Sequence, residues 1–484
     1  MEKQETEQPL LTTKKVYYEN CPGCKVDQRK DTSTAIPIKE FFSVWILVLC
    51  SALPISSLFP FIYFMIKDTH IAKREEDIGY YAGFVGASFM FGRALTSVLW
   101  GMVADRYGRK PVMIFGAASV VVFNTLFGFS TTFWMAVSTR FLLGFMNGIL
   151  GPVKAYASEI SRPEHQALAL SLVSTAWGIG LIIGPAIGGF LAQPADKYPD
   201  LISKDSLFGR FPYLLPCLCI SILPAVVCVG CFWLKETLHT NHGKTEGEDS
   251  YETLESAINE PTGTSMSDKN NSEKSLLRNW PLISSILVYC IFSLHDMAYS
   301  EIFSLWAVSP KKFGGLSFST DKVGVVLSIT GAGLLFFQTF LYPRVERLIG
   351  PIMVCRICSI LSIPVLQSYP FIAMLSGLTL TIVLNCASVM KNVFSISIVT
   401  GLFVLQNNAV DQRQRGAANG LAMTGQSLFK AFGPAIGGIL FSWAQKRRDA
   451  YFLPGAHMIF FILNSIQVIA FLSTLKPFLV TKAH

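Results

Sequence analysis

Ionisable side chains stand inside several apolar runs of this sequence, where charge is expensive. Four are cations, Arg93, Arg140, Lys391 and Lys430, and by residue count each falls near the middle of its run. The acids are few: Asp296 is deep, Glu301 lies nearer the end of the same run, and His295 stands beside Asp296. Ionisable groups at such depth are rare in membrane spans and mark binding or proton sites. Four cations around one acid would repel a bare divalent metal, whose usual ligands are carboxylates, imidazoles and thiolates. The same set suits an anion or a zwitterion carrying carboxylates, which guanidinium and ammonium groups pair with. Arg93, Arg140, Lys391 and Lys430 are therefore the candidate substrate-binding residues. Asp296 is the candidate proton carrier, because burial and a nearby cation act on a carboxyl in opposite directions. Arg140, Glu301 and His295 complete the candidate coupling set. The competing reading is a permanent ion pair between Asp296 and Lys391, Lys430, Arg93 or Arg140 that only holds helices in register. Arg356 and Lys154 fall nearer the ends of their runs, where long side chains snorkel to the surface.

These groups need elements that hold them at depth. The chain has 484 residues, 51% hydrophobic and 15% charged, and uncharged runs of about 20 residues, the length that crosses a bilayer, recur along most of it. The reading is an all-α membrane protein with 12 transmembrane helices in two six-helix bundles. Spans are expected near 41–66, 79–100, 111–130, 132–157, 165–193 and 211–234, then 281–305, 322–343, 351–369, 380–409, 414–443 and 453–475. A flexible tail (1–40) precedes the first bundle (41–234). A polar linker (235–280) that cannot bury a core leads to the second bundle (281–475) and a short tail (476–484). The first apolar run follows a polar tail, so no cleaved signal peptide is expected. The net charge of +8 sits in short loops, which is a topology signal rather than a nucleic-acid footprint. Lys and Arg favour one set of loops nearly two to one, placing both tails and the linker in the cytoplasm. The expected partners are a small-molecule substrate, protons and the lipid bilayer, with no cofactor, no nucleic acid and a monomeric chain.

The connectors carry the second set of candidates. Residues 100–111 contain Gly101, Asp105, Arg106, Gly108, Arg109 and Lys110. They read as a tight cytoplasmic turn in which the glycines give close approach and reversal, and Asp105 acts as a latch. Residues 342–347 hold a worn copy, with Glu346 and Arg347 in place of Asp105 and Arg106 and the trailing cations lost. Gly184 and Pro185 belong to a run, 184–189, repeated letter for letter 249 residues later with Gly433 and Pro434. Glycines allow helices to approach and proline weakens the backbone ladder, so both runs are gating candidates. Two similar halves are the architecture such repeats announce.

Metal and enzyme chemistry find less support. Cys21 and Cys24 have the spacing of half a zinc knuckle, but a structural site needs four ligands and no second pair follows nearby. His239 and His242, three apart, are the only other minor candidates, and no metal is assigned. The other nine cysteines lie mostly in apolar runs and behave as small hydrophobes. A dileucine-like signal at 7–11 and an Asn270 sequon in the linker stand outside the bundles. A hydrolase would need a nucleophile with a base, and His295 and His457 are scattered, so no enzyme is expected.

Residues 100–111, a glycine, an Asp-Arg pair and Gly-Arg-Lys, resemble the loop between helices 2 and 3 of major facilitator superfamily transporters. Arg140-x-x-x-Gly144 is similar to that superfamily's helix 4 motif associated with proton coupling. The run from Gly180 to Gly189 resembles its antiporter motif, with Ser171 where the earliest glycine falls. Residues 21–26, 53–58, 189–199, 236–239, 294–296 and 411–420 together resemble the plant zinc-induced facilitator family. That resemblance implies a proton-coupled transporter moving metal chelators such as nicotianamine or mugineic acids in zinc and iron homeostasis, or auxin or potassium. It also implies the vacuolar membrane, with the plasma membrane as the alternative. A cationic cavity fits a carboxylate-rich chelator or auxin and fits potassium poorly. A non-transporting nutrient sensor that signals through the linker is the reading from a different class.

Overall fold

In a bilayer, backbone polar groups must find partners within the chain, and apolar runs of this length do so as helices. The computed structural model of the protein describes residues 17–18, 20–33, 35–162, 165–239, 278–410, 415–447 and 450–479, with backbone alone at 166, 167, 170 and 415–417. A short helix α1 (Pro22–Thr32) precedes the first crossing, which is split between α2 (Ile38–Ser56) and α3 (Ile62–Asp68). Next come α4 (Ile78–Tyr107) and α5 (Arg109–Gly128), and a fourth crossing broken into α6 (Phe133–Met146) and α7 (Leu150–Ile160). The fifth crossing is α8 (Gln166–Leu191), and one-turn helices α9 (Pro194–Lys197) and α10 (Leu207–Arg210) lead to the sixth, α11 (Leu214–Gly230).

The second half holds α12 (Trp280–Val308), then α13 (Thr320–Phe336), joined through a π-helical turn at Phe337–Leu341 to α14 (Tyr342–Ile349). It continues with α15 (Pro351–Ile372), α16 (Gly377–Asn408), α17 (Arg415–Gln445) and α18 (Ala456–Ser473). Eleven crossings are long and apolar enough to span a membrane on composition alone. The twelfth, α17, has 31 residues and carries Thr424, Gln426, Ser427 and Lys430 on the way. With twelve crossings, both tails lie on one face.

Three expectations are corrected. The turn expected across 100–111 is helical to Tyr107, with the reversal confined to Gly108 at φ +109°. Gly101 is inside α4, and a Cβ there would meet nothing within 4 Å, so it provides no close approach in this state. The tail at 1–40 is not wholly flexible. Its helix α1 docks on the first half through an Arg29–Glu40 ion pair and a Lys30 Nζ bond to the Glu159 carbonyl at 2.8 Å. Residues 235–239, placed in the linker by composition, pack on the same half, whereas the signal at 7–11, Asn270 and His242 lie outside the described residues.

Both helix breaks are satisfied by side chains. The Phe145 carbonyl, at the break between α6 and α7, accepts from Thr96 Oγ1 and Trp100 Nε1, each at 2.8 Å. Near the end of α2 the Pro54 carbonyl accepts from Arg140 Nη1 at 3.0 Å. A freed carbonyl in an apolar setting costs several kcal/mol if left bare, so these donors are what make the breaks tolerable.

Two interfaces join the halves, α4 against α17 and α8 against α13. They are the same interface made twice, because each repeated run packs on the second crossing of the opposite half. A Cβ on Gly83 would lie 2.5 Å from the Pro434 carbonyl and 2.9 Å from Gly438 Cα. Both α8 and α17 run through Pro185 and Pro434 without a break. Beyond the glycines, Lys312 pairs with Glu75 and Lys446 with Asp77, each at 2.6 Å, and Tyr80 N donates to Ser442 Oγ at 2.7 Å. Among the described residues, every polar link between halves except Ser328–Ile182 and Lys154–Met423 lies at this face, opposite the tails. The molecule is therefore closed away from its tails.

Gly83→Leu should prevent that closure, since the clash is with backbone rather than a flexible tip. Spin labels introduced as unnatural residues at the exposed Leu201 and Tyr451 report it. The variant should lengthen their distance distribution relative to the parent, and an unchanged distribution would show that the glycine contact does not set the closed state.

Candidate functional site

Lys391 on α16 is fully buried, and its Nζ lies 2.9 Å from Asp296 Oδ1 on α12. The same ammonium sits 3.5 Å from the centre of the Tyr299 ring. Tyr299, one turn on from Asp296, shares a hydrogen bond with the Tyr369 hydroxyl at 2.7 Å, which fixes the ring under the cation. Asp296 retains 32% exposure of its side chain while Lys391 has none. The carboxylate thus neutralises the lysine while keeping part of its own surface accessible.

Three more cations form a chain of electrostatic neighbours that starts at Asp296. Lys430 on α17 lies within electrostatic range of Asp296 and of Arg93 on α4. Lys154 on α7 lies within range of Arg93 and Lys430, and its Nζ meets Met423 Sδ at 3.6 Å. All three are partly exposed, and among the described residues none of them forms a salt bridge. Sequence depth had set Lys154 aside as a snorkelling residue. The break at 147–149 displaces α7 from the straight path that a residue count assumes, and this brings Lys154 into the cationic group.

Arg140 is engaged elsewhere. It is 2% exposed, bonded to the Pro54 carbonyl and stacked 4.9 Å from the Phe127 ring centre and 5.4 Å from that of Phe89. Its geometry is that of a residue closing a helix break. Glu301 is also deeper than its position in the run suggested: it is 1% exposed, and neither carboxyl oxygen has a hydrogen-bond partner among the described residues. It fills the crossing of the halves, where a Cβ on Gly86 would lie 3.1 Å from its Oε2 and 3.1 Å from Pro434. His295 is 2% exposed, and its Nε2 has no hydrogen-bond partner among the described residues.

On the tail face, the turn at Gly108 is held by Glu236, Glu159 and Thr237, none of them among the gating candidates. The Glu236 carboxylate accepts from the backbone N–H of Arg109 and of Lys110, at 3.0 Å each, capping the start of α5 where the helix dipole favours an anion. Gly108 makes this possible, since a Cβ on it would fall 2.4 Å from Glu236 Oε2. The Arg109 guanidinium pairs with Asp105 and, at 2.9 Å, with Glu159, whose other oxygen accepts from Thr237 Oγ1 at 2.5 Å. Lys110 Nζ bonds the Phe232 carbonyl at 2.6 Å, while Arg106 stacks near Tyr107. In the worn copy, Glu346 and Arg347 lie on α14, Gly350 takes the place of Gly108 at φ +79°, and Arg344 bonds the Phe340 carbonyl. Cys21, Cys24 and His239 also meet on this face, joining candidates 215 residues apart.

The major facilitator superfamily profile matches residues 44–434. The chain is 62% identical over 465 residues to Arabidopsis thaliana protein zinc induced facilitator-like 1, covering 96% of this chain and 97% of that one. It is 60% identical to zinc induced facilitator 1 of the same plant, covering 97% and 98%. A solved D-xylose-proton symporter shares the fold, with TM-score 0.68 at 13% identity over 91% of this chain and 98% of that one. The chain therefore belongs to the major facilitator superfamily, as a member of the plant zinc-induced facilitator family.

Proposed function

We propose that this transporter exchanges protons for a small zwitterion carrying several carboxylates, a metal chelator of the nicotianamine type, and so contributes to zinc and iron homeostasis. The observation that carries the reading is the charge balance around Asp296: its partly exposed carboxylate pairs with Lys391, while Arg93, Lys154 and Lys430 form no salt bridge among the described residues. Carboxylates of the substrate pair with the three cations, and its ammonium takes the free side of Asp296. A proton on Asp296 removes the ammonium site, so proton and substrate compete, and competition at one group is what makes exchange obligatory. The names of the relatives, zinc induced facilitators, support a role near zinc.

Glu301 is the second titratable group in this scheme. An unpartnered carboxylate in an apolar crossing costs several kcal/mol, which a proton cancels. Parting α4 from α17 opens that crossing to water, so loss of this proton and opening of the face away from the tails go together. Asp105 latches the opposite side: it exchanges Arg109 for the facing helix when the tail face closes. The tail face is taken as cytoplasmic and the membrane as the vacuolar one, where the lumen supplies the protons.

Uptake into sealed proteoliposomes under an imposed pH gradient tests the reading with a panel of labelled substrates. Carboxylate-rich chelators should accumulate and potassium should not; accumulation of potassium alone would overturn it. Asp296→Asn should abolish accumulation and, because it strands the buried Lys391, should cost about 3–5 kcal/mol of stability, so its accumulation is compared at equal membrane abundance; Glu301→Gln should retain substrate binding and lower turnover at least tenfold. Equal loss of binding in both would contradict the division of roles.

Asp105→Asn should leave membrane abundance and melting nearly unchanged, because an exposed ion pair contributes about 1 kcal/mol or less. Its transport rate should fall clearly, and that of Glu346→Gln less. A rate matching the parent at equal abundance would remove Asp105 from the gate.

A further inference from the structure

Two half-sites that lie far apart in the sequence become one cluster in the fold. Cys21 precedes α1, Cys24 lies in its first turn, and His239 arrives from the segment that follows the sixth crossing. His239 Nδ1 is 3.7 Å from Cys21 Sγ and 3.8 Å from Cys24 Sγ, and all three ligand atoms fall within 4.8 Å of one another. A tetrahedral zinc ion, with Zn–S of about 2.3 Å and Zn–N of about 2.0 Å, sets sulfur and nitrogen roughly 3.5 Å apart. The observed edges are only slightly longer, so a small contraction would complete the coordination.

The position of the imidazole is built rather than incidental. Gly23, between the cysteines, donates its N–H to the Leu238 carbonyl at 3.1 Å. A Cβ on Gly23 would stand 2.7 Å from the His239 ring, so glycine leaves the place the ring occupies. On the other edge of the ring, Nε2 lies 3.4 Å from Asp27 Oδ2. A carboxylate on the remote nitrogen of a ligating histidine fixes its tautomer and strengthens it as a ligand. Asp27 is itself held by Lys30 at 2.5 Å. Cys21 is wholly buried and Cys24 nearly so, which suits a fixed site.

We propose that Cys21, Cys24 and His239 bind a zinc-class cation on the tail face, with a fourth position left to water or an added ligand and Asp27 orienting the histidine. Two thiolates and an imidazole select such an ion over magnesium or calcium. The site is separate from the central cations. It lies on α1 and residues 235–239, beside the first half, and Glu236, which caps the start of α5, is three residues from His239. A bound ion therefore ties the tail helix to the segment that holds the gate turn.

Purified full-length protein titrated with cobalt(II), then zinc, tests this directly. One cobalt per chain should bind, with the near-ultraviolet charge-transfer band of thiolate ligation and the intense visible bands of tetrahedral geometry, and zinc should displace it. X-ray absorption of the zinc form should show two sulfur ligands, a readout that needs no variant. Cys21→Ser with Cys24→Ser should abolish the band, Asp27→Asn should weaken binding about tenfold or more, and His242→Ala should change nothing. Absence of stoichiometric metal in the parent, a shell of oxygen and nitrogen alone, or a band that survives the double serine variant would overturn the proposal. Because these readouts involve no transport, they stand or fall independently of the substrate.

Discussion

Lys391 is buried in a membrane-spanning helix, and the Asp296 carboxylate at 2.9 Å is what lets its charge stay there. Bringing either ion alone out of water costs several kcal/mol, and removing one partner strands the other. The second half is organised to keep the pair intact: α12 and α16 are packed together, and the Tyr299 ring, fixed by Tyr369, lies under the ammonium. Once Lys391 is neutralised, the cations left without a salt bridge among these described residues are Arg93, Lys154 and Lys430. These are contributed by α4, α7 and α17, so the charge is divided between the halves and is rearranged whenever they move.

Movement is permitted by the glycine interfaces. Helices meeting at Gly83 and Gly438, or at Gly189 and Gly324, touch through backbone, leaving few interlocked side chains to unpack as they part. The electrostatic links between halves sit beyond these contacts, at Glu75 and Asp77, where water reaches them and each contributes little. The interior pair is strong and lies within one half, whereas the pairs between halves are weak and exposed.

Much of this was legible in the sequence. The spacing of apolar runs indicates twelve crossings, the repeated 184–189 and 433–438 runs indicate the symmetric interface, and the scarcity of acids singles out Asp296. The misses have physical causes. A cationic stretch reads as a loop, yet residues 100–107 remain helical because neither Gly101 nor the charges break a helix that only the positive φ of Gly108 ends. Arg140 looked like a cavity residue, but α2 ends at Ser56 and leaves the Pro54 carbonyl for it to bond. Depth counted along a straight helix misplaces Lys154 once the chain breaks at 147–149. No local spacing rule joins Cys24 to His239, 215 residues away, because that proximity is made only by the docking of α1 on the first half.

The central claim is that substrate and proton compete for Asp296. Calorimetric titration of purified protein with a carboxylate-rich zwitterion, in buffers that differ in ionisation enthalpy, counts protons exchanged on binding. The account predicts proton release by the parent under acidic conditions and none by Asp296→Asn. Binding without proton exchange by the parent, or the same release by the variant, would contradict it.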